Sequence, residues 1–177
     1  KRDLEVSGVR GLPRAIPSPQ AEIIRVPDQP ASVLVDAGQQ KAWLLDLDPQ
    51  ATADPDCTAW AKVIGERVFP NDAAEQALFG CRFAVAHDDI FNGLTRTGME
   101  IVARVKIDDK TGTVSDGQLW YEESVPAESI LAGIVFCDGV RAAADTNGSL
   151  LDEFCSDVSF LQFGGKATIG RGRARCI

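Results

Sequence analysis

The sequence predicts an α+β fold, and three patterns in its second half carry that prediction. Apolar and polar residues alternate over Met99–Ile107, and Gln118–Glu122 is predicted to be a second strand, so the two form a hairpin. The apolar run Ser129–Phe136 is typical of a buried strand, and Phe160–Phe163 is a shorter run of the same kind. Between them, residues 147–157 have a helical pattern whose core side carries Leu150, Leu151 and Phe154. A hairpin, a strand, a helix and a strand in this order are typical of a ferredoxin-like (RRM-like) domain.

Length and composition favour a single domain over residues 1–177. Hydrophobic residues make up 45% of the 177 positions and charged residues 25%, the balance of a globular protein with a real core. No apolar run approaches the ~20 residues that span a bilayer, and the start Lys1-Arg-Asp-Leu-Glu5 lacks the apolar segment of a signal peptide. We therefore expect a cytoplasmic protein with no membrane partner. The missing initiator Met suggests a fragment or a trimmed chain.

The five cysteines are widely and irregularly spaced. An odd number without a Cys-x-x-Cys pair argues against both a disulfide framework and a zinc site. Buried free thiols in a reducing compartment are the expectation for them. They are Cys57, Cys81, Cys137, Cys155 and Cys176.

The first segment, residues 1–31, is predicted to be a proline-rich extended connector. Its prolines break any regular element: Pro13, Pro17, Pro19, Pro27 and Pro30. Two short strands are predicted to follow at Ser32–Asp36 and Trp43–Leu47, joined by a turn at Gly38–Lys41.

Helix start signals mark the middle of the chain. Asp54-Pro55-Asp56 predicts the start of one helix, and Asn71-Asp72 caps a second helical stretch that runs to Phe79. The apolar stripe of the first helix consists of Trp60, Val63, Ile64 and Val68.

A core strand is predicted at Arg82–Ala86, directly before His87, Asp88 and Asp89. These three residues could be a metal cluster, and His87 is the only histidine of the chain. Three consecutive residues rarely point at one ion, so we prefer Asp88 or Asp89 as the N-cap of a helix.

The hairpin over residues 99–123 carries basic residues on its first arm. Ile101, Ala103, Val105 and Ile107 share one face of that arm, and Val102, Arg104 and Lys106 share the other. Asp108–Gly112 is the turn, with Asx and glycine signals. A protruding basic hairpin of this kind can lie across a nucleic-acid strand.

One enzymatic alternative concerns the hairpin turn. Asp109-Lys-Thr-Gly-Thr113 matches the phosphorylation motif of P-type ATPases, in which the aspartate accepts the phosphoryl group. Those pumps need a membrane domain and a strand-to-helix step at the motif, and this sequence predicts neither. We therefore interpret the match as turn chemistry.

The C-terminal segment, residues 160–177, carries four cations and no acid in a chain whose net charge is −8. Glycines let a backbone approach a ligand closely, and consecutive exposed N–H groups beside cations suit phosphate. This pattern predicts contacts with the phosphates of RNA or DNA. The alternative is a glycine-rich hairpin on a solvated edge, whose arginines keep that edge soluble. The residues concerned are Gly164, Gly165, Lys166, Thr168, Gly170, Arg171 and Gly172.

Two nucleotide-binding fingerprints are excluded for this segment. Ala167 follows Lys166 where a P-loop needs Ser or Thr, and the upstream glycine is missing. Gly170-Arg-Gly172 leads into Arg173-Ala-Arg175, which suits a strand, whereas the dinucleotide fingerprint opens a helix.

The pattern Gly-Gly-x-x-Thr-Ile-Gly-x-Gly over residues 164–172 resembles the C-terminal glycine-rich loop of the RAMP proteins of CRISPR–Cas systems. The form here is most similar to the repeated backbone subunit of the type III-B (Cmr) effector complex. The hairpin region resembles the thumb of those subunits through four further patterns: Arg96-Thr-x-x-Glu100, Arg104-Val-x-Ile-Asp108, Lys110-Thr-Gly-Thr113 and Leu119-Trp-Tyr-Glu-Glu-x-x-Pro126.

The resemblance implies a RAMP domain with a protruding thumb at 99–123 and a glycine-rich loop and final strand at 160–177. Its implied partners are CRISPR guide RNA, target RNA, copies of itself and other RAMP subunits. Besides the glycine-loop residues, the implied RNA contacts are Arg96, Arg104 and Lys106.

The resemblance also implies RNA cleavage by the family, with a divalent metal such as magnesium. The family's cutting aspartate lies in an N-terminal segment that this chain is expected to lack, so the catalytic residue here is unknown. We assign that role to none of the aspartates, among them Asp36, Asp46 and Asp88. The alternative function is a solitary RNA-binding or protein-interaction domain without catalysis.

Overall fold

The computed structural model describes residues 8, 10–36, 38–136 and 146–177. The chain divides into two compact units, Gly11–Leu131 and a smaller one made of Ala132–Ile177 with Lys1–Arg10. Helices and strands are mixed along the chain, so the predicted α+β class is confirmed. A single domain over 1–177 stays a prediction, and each unit is described by itself.

The larger unit is built on a five-stranded sheet with the order β2-β3-β4-β1-β5. Strand β1 is parallel to β4 and antiparallel to β5, while β2–β3 and β3–β4 are antiparallel pairs. The strands are β1 (Ile23–Val26), β2 (Val35–Asp36), β3 (Lys41–Ala42), β4 (Gln50–Ala53) and β5 (Val85–Ala86).

Three helices accompany this sheet: α1 (Pro55–Val68), α2 (Ala73–Arg82) and α3 (Asp88–Thr97). The first two begin where the sequence predicts, because Asp54 and Asp72 cap them. The Asp54 carboxylate accepts the N–H of Asp56 at 2.9 Å, and that of Asp72 accepts the N–H of Glu75 at 3.0 Å. Among the described residues, no helix is both long enough and apolar enough to cross a membrane.

The described core lies around β1. Ile24 and Val26 on β1 form one buried cluster with Ala42 on β3 and Ala51 on β4. On α1, Cys57, Trp60 and Ala61 are also buried. The predicted apolar stripe of α1 is confirmed in part, since Trp60 is buried and Val63, Ile64 and Val68 are half-buried.

The prediction that prolines exclude regular structure from residues 1–31 is wrong. Strand β1 lies inside that segment and occupies the fourth position of the sheet, with a neighbour on each side. Pro19 and Pro27 flank the strand instead of interrupting it, so they mark its ends. The apolar residues Ile23, Ile24 and Val26 are the signal that this interpretation overlooked.

The predicted strand Trp43–Leu47 is also wrong, because the chain turns there. Leu44 and Leu47 form an isolated bridge, and Leu45 between them has a positive φ of 55°. The strands lie on either side of that turn, at β3 and at β4, and β4 was not predicted. The predicted Ser32–Asp36 and Arg82–Ala86 shorten to β2 and β5, since Arg82 still belongs to α2.

The predicted hairpin is confirmed as a separate two-stranded sheet of β6 (Glu100–Ile107) and β7 (Val114–Ser124). Its turn is held by Asp108, whose carboxylate accepts the N–H groups of Lys110 at 2.8 Å and Thr111 at 3.1 Å. These hydrogen bonds lower the pKa of Asp108. The ladder shifts register between Val105 and Ile107.

The smaller unit contains α4 (Thr146–Asp157) and an antiparallel pair of β8 (Phe160–Gln162) and β9 (Arg173–Arg175), which we call the ribbon. Both the helix and the strand at Phe160 agree with the prediction. The core side predicted for α4 is not buried, because Leu150 and Phe154 are 44% and 40% exposed.

The strand predicted at Ser129–Phe136 is wrong. None of those residues belongs to a strand, and Leu131 and Phe136 are 77% and 82% exposed. A run of high β-propensity becomes a strand only where a neighbouring strand pairs with it. No described strand pairs with this one.

The cysteine side chains differ in burial more than predicted. Cys57 is buried, Cys81 and Cys176 are half-buried, and Cys155 is exposed. Cys137 lies outside the described residues. The interpretation as buried thiols therefore holds for Cys57 and is wrong for Cys155.

Because of Cys57, the stability of the folded chain should decrease at alkaline pH. Burial, helped by the charge of Asp54, raises the pKa of its thiol to about 12, against about 8.5 in an unfolded chain. The stabilising contribution is therefore complete below about pH 8.5 and is lost as the pH rises, because the unfolded chain releases the proton first. In urea titrations above about pH 8.5, the free energy of unfolding should fall more steeply for the wild type than for Cys57→Ala, by up to about 1.4 kcal/mol per pH unit.

Cys155→Ala is the matched control for this experiment. Its thiol is exposed, so the variant should keep the wild-type dependence on pH. Equal slopes for the wild type and Cys57→Ala would contradict the shielding of Cys57.

Gly172 is required by the backbone of the ribbon. A Cβ at this position would lie 1.9 Å from the carbonyl oxygen of Phe163, and the φ of 74° is in the left-handed region. Gly172→Ala should therefore destabilise the ribbon by more than about 1–2 kcal/mol. Hydrogen exchange of the amides of Phe163 and Cys176, which bond across the ribbon, should accelerate about tenfold or more.

Gly165→Ala serves as the control, because a Cβ there meets nothing within 4 Å. Its exchange rates should match the wild type. Unchanged protection in Gly172→Ala would show that the loop relaxes around the added methyl group.

Candidate nucleic-acid interface

The glycine-rich loop, residues 163–172, joins the two strands of the ribbon. Its backbone takes left-handed φ values at Gly164, Lys166, Gly170 and Gly172, of 68°, 66°, 78° and 74°. The base of the loop is closed by the N–H of Phe163, which donates to the carbonyl of Gly172 at 2.8 Å. The Gln162 side chain donates to the carbonyl of Arg171 at 2.8 Å and holds that carbonyl in place.

Several backbone N–H groups of this loop donate to carbonyls within the loop itself. Those of Ile169 and Arg171 donate to the carbonyl of Lys166, at 3.1 and 3.2 Å, and that of Gly170 donates to Ala167 at 3.0 Å. A cradle of consecutive exposed N–H groups, as expected from the glycines, is therefore not formed at these three residues. Any attraction for phosphate there comes from side chains.

The fold of the loop brings the backbones of its two cationic residues together. The N–H of Arg171 donates to the Lys166 carbonyl and closes the loop between the two residues. Thr168 lies between them in a single 3-10 turn, Ala167–Ile169. Lys166 is exposed and Arg171 is half-buried. The contact of these residues with RNA stays a prediction.

The sequence alone did not single out the contact between Arg173 and Phe160. The Arg173 guanidinium lies over the Phe160 ring, with its central carbon 4.2 Å from the ring centroid. The two residues are thirteen positions apart and meet because Gln162 pairs with Arg173 and Phe160 with Arg175. The usable signal was the alternation Arg173-Ala-Arg175, which puts both arginines on one face of β9.

The predicted thumb residues lie in the larger unit, apart along the chain from the loop. On β6, the Arg104 Nε is 3.2 Å from a carboxylate oxygen of Glu122, whose other oxygen accepts the indole N–H of Trp120 at 3.1 Å. This ion pair offsets the charge of Arg104. Lys106 is exposed, and Arg96 lies in the last turn of α3.

The opposite face of the hairpin is apolar and exposed. The predicted alternation is confirmed, since paired residues such as Val105 and Leu119 share that face. In the described structure nothing buries it, and its large side chains are each at least 44% exposed: Ile101, Val105, Ile107, Val114, Leu119 and Tyr121. We call this set the apolar hairpin face.

His87, and not Asp88 or Asp89, is the N-cap of α3. Its Nδ1 accepts the N–H of Asp89 at 3.3 Å, so the predicted assignment to an aspartate is wrong. An imidazole nitrogen can accept this bond as a hydroxyl or carboxylate does. Asp88 and Asp89 occupy the first turn, where negative charge suits the helix dipole.

A metal site does not fit the residues that the structure describes. Within residues 8, 10–36, 38–136 and 146–177, no group of three His, Cys, Asp or Glu side chains is placed to hold an ion. The Asp109 motif lies in the hairpin turn, where Gly112 donates to the Asp108 carbonyl at 2.8 Å. That location agrees with turn chemistry and not with a phosphorylation site at a strand-to-helix step.

Comparisons with known proteins agree on one family. The sequence profile of the RAMP superfamily matches residues 25–175. The chain is 32% identical over 177 residues to the CRISPR system Cmr endoribonuclease Cmr4 of Pyrococcus furiosus, a match that covers 97% of the chain and 56% of that protein.

Two solved structures share the fold. The crystal structure of oligomeric Cmr4 from Pyrococcus furiosus superposes with a TM-score of 0.62 at 23% identity. A second crystal structure of Cmr4 gives 0.55 at 21% identity. Each match covers 98% of this chain and 58% of the solved one, so the chain spans a little over half the length of the proteins it matches. Because the family profile runs from β1 into β9, across nearly all of the described elements, the chain belongs to the RAMP superfamily.

Proposed function

We propose that this chain is a guide-RNA-binding backbone subunit of a cytoplasmic CRISPR type III-B (Cmr) complex that targets RNA in antiviral defence. The observation that carries the proposal is the loop of residues 163–172, which presents Lys166 and Arg171 in a segment without acids. The similarity to Cmr4 at 32% identity supports the same role.

The proposal includes an architecture finer than α+β. Residues 1–177 would be a single ferredoxin-like (RRM-like) RAMP domain, with the β6–β7 hairpin as its thumb and residues 160–177 as its glycine-rich loop and final strand. Support comes from the separate two-stranded sheet of the hairpin and from the left-handed glycines of the loop.

The proposed RNA contacts are mainly side-chain contacts to phosphates. Lys166 and Arg171 take phosphates at the loop, while Thr168 and the glycines let the strand approach closely. Lys106 and Arg96 add positive charge from the larger unit. Arg104 contributes less, because Glu122 already pairs with it at 3.2 Å.

Self-stacking is the second part of the proposal. The partners are copies of this chain and other RAMP subunits, with target RNA paired to the guide. The apolar hairpin face supports it, since a protein surface that exposes several large apolar side chains together is typical of an interface. Head-to-tail contacts of this kind need not close into a ring.

RNA cleavage belongs to the proposal at the level of the complex. The similar protein from Pyrococcus furiosus is named an endoribonuclease, and a divalent ion such as magnesium would serve that reaction. The described side chains do not fit a metal site, so no catalytic step is assigned to a residue of this chain.

A second candidate function is a solitary RNA-binding or protein-interaction domain without catalysis. The apolar hairpin face favours an interaction role in either case, and the two candidates differ in whether RNA drives assembly.

Replacing both Lys166 and Arg171 by alanine should weaken binding of single-stranded RNA and flatten its dependence on salt. Two lost phosphate contacts reduce the slope of log K against log salt by about 1.4. Fluorescence anisotropy of a labelled guide-length RNA, titrated at several salt concentrations, measures both quantities.

A matched control removes two cations from α1, where no RNA contact is proposed. Lys62 and Arg67 are exposed there, and their double alanine variant should keep the wild-type slope. Equal affinity and slope in the Lys166/Arg171 variant and the wild type would overturn the site assignment.

Light scattering tests the stacking role. The chain alone should have the mass of a monomer or a weak oligomer, and a guide-length RNA should raise the mass in steps of one chain. An RNA long enough for a single copy should give one chain per RNA. A mass of one chain per guide-length RNA would favour the solitary domain.

A further inference from the structure

One face of the ribbon combines an aromatic ring with two arginines. Phe160 and Gln162 on β8 pair with Arg175 and Arg173 on β9, so these four side chains share one face of the antiparallel pair. The Arg173 guanidinium reaches diagonally over the Phe160 ring, 4.2 Å from its centroid. The ring is 50% exposed, and both arginines are exposed.

Residues 160–177 carry four cations and no acidic residue of their own. The aromatic contact orients Arg173 without cancelling its charge, because a ring attracts a cation through its quadrupole.

A guanidinium placed over an exposed aromatic ring is suited to stacking. Both groups are planar, and nucleobases stack on aromatic rings and on guanidinium planes alike. Arg175, next to this pair on the same face, is placed to attract the phosphate beside a stacked base.

Resting on the proposed function, we infer that Phe160 and Arg173 form a stacking platform for one nucleobase of single-stranded RNA, with Arg175 on the neighbouring phosphate. In this arrangement the glycine-rich loop contacts the phosphates of the RNA, and the ribbon face contacts one base. Sequence preference is low at this position, because every base has a π-face.

The alternative ligand is an acidic peptide, whose carboxylates would seek the hydrogen-bonding edge of Arg173. The exposed Phe160 ring favours a base, because a nucleobase can stack on an aromatic ring whereas a carboxylate gains nothing from the negative face of one. RNA that lacks bases distinguishes the two cases, because only a site that stacks on a base loses affinity for it.

The test uses the whole chain and a labelled single-stranded RNA, and it compares Arg173→Lys with the wild type by anisotropy. Lysine keeps the charge and loses the planar group. Base stacking is worth ~1–3 kcal/mol, so the dissociation constant should rise about 5-fold to 160-fold with little change in salt slope. Arg173→Ala should weaken binding at least as much, because it removes the planar group as well.

An RNA with abasic sites provides the matched control for the ligand. The wild type should bind it more weakly than the normal RNA, and Arg173→Lys should then lose little further affinity. Equal binding of Arg173→Lys and the wild type to normal RNA would overturn the platform. So would equal binding of abasic and normal RNA, or displacement of the RNA by poly-glutamate from the wild type but not from Arg173→Ala.

Two controls separate a folding defect from a loss of binding, and the platform from the proposed function. Hydrogen exchange of the Cys176 amide, which donates to Ser159 across the ribbon at 2.9 Å, should be the same in Arg173→Lys and the wild type. If the wild type binds no RNA, both the proposed function and this inference are wrong. If the Lys166/Arg171 variant loses affinity while Arg173→Lys does not, the inference alone fails.

Discussion

Strand β1 is the constraint on which the larger unit depends. It hydrogen-bonds to β4 in parallel on one side and to β5 in antiparallel on the other, so it joins the two parts of the sheet. Its end also fixes the start of α1, since the N–H of Asp54 donates to the Val26 carbonyl at 2.8 Å. The same short strand therefore holds the buried core through Ile24 and the start of the helix through Val26. Large apolar side chains outside this small core remain exposed on the hairpin.

Local signals were sufficient for the helix starts and the hairpin. Asp54 and Asp72 cap helices, and Asp108 holds a turn, through bonds to residues two or three positions away. Strands depend on partners that lie far along the chain. The four residues of β1 became an inner strand of the sheet because β4 and β5 flank them, whereas the more strand-like run at Ser129–Phe136 finds no described partner.

For the candidate site too, some features could be predicted from local sequence and others could not. Its glycines and cations could be found from the sequence, because glycine composition and charge are local properties. The inward direction of the N–H groups of Ile169, Gly170 and Arg171 could not, since it follows from closure of the loop onto Lys166. Nor could the pairing of Arg104 with Glu122, which offsets the charge of one predicted cation. Both results depend on contacts that form only in the folded chain.

Gly172 bears on how related sequences are interpreted. Its position leaves no room for a side chain, because the Phe163 carbonyl would lie 1.9 Å from the first carbon. Selection for a foldable ribbon alone would therefore preserve this glycine, whatever the loop binds. A glycine at this position in another RAMP protein would report a shared backbone geometry and would not by itself report a shared ligand. The residues aligned with Lys166 and Arg171 are not subject to that backbone constraint, so they would report on the ligand instead.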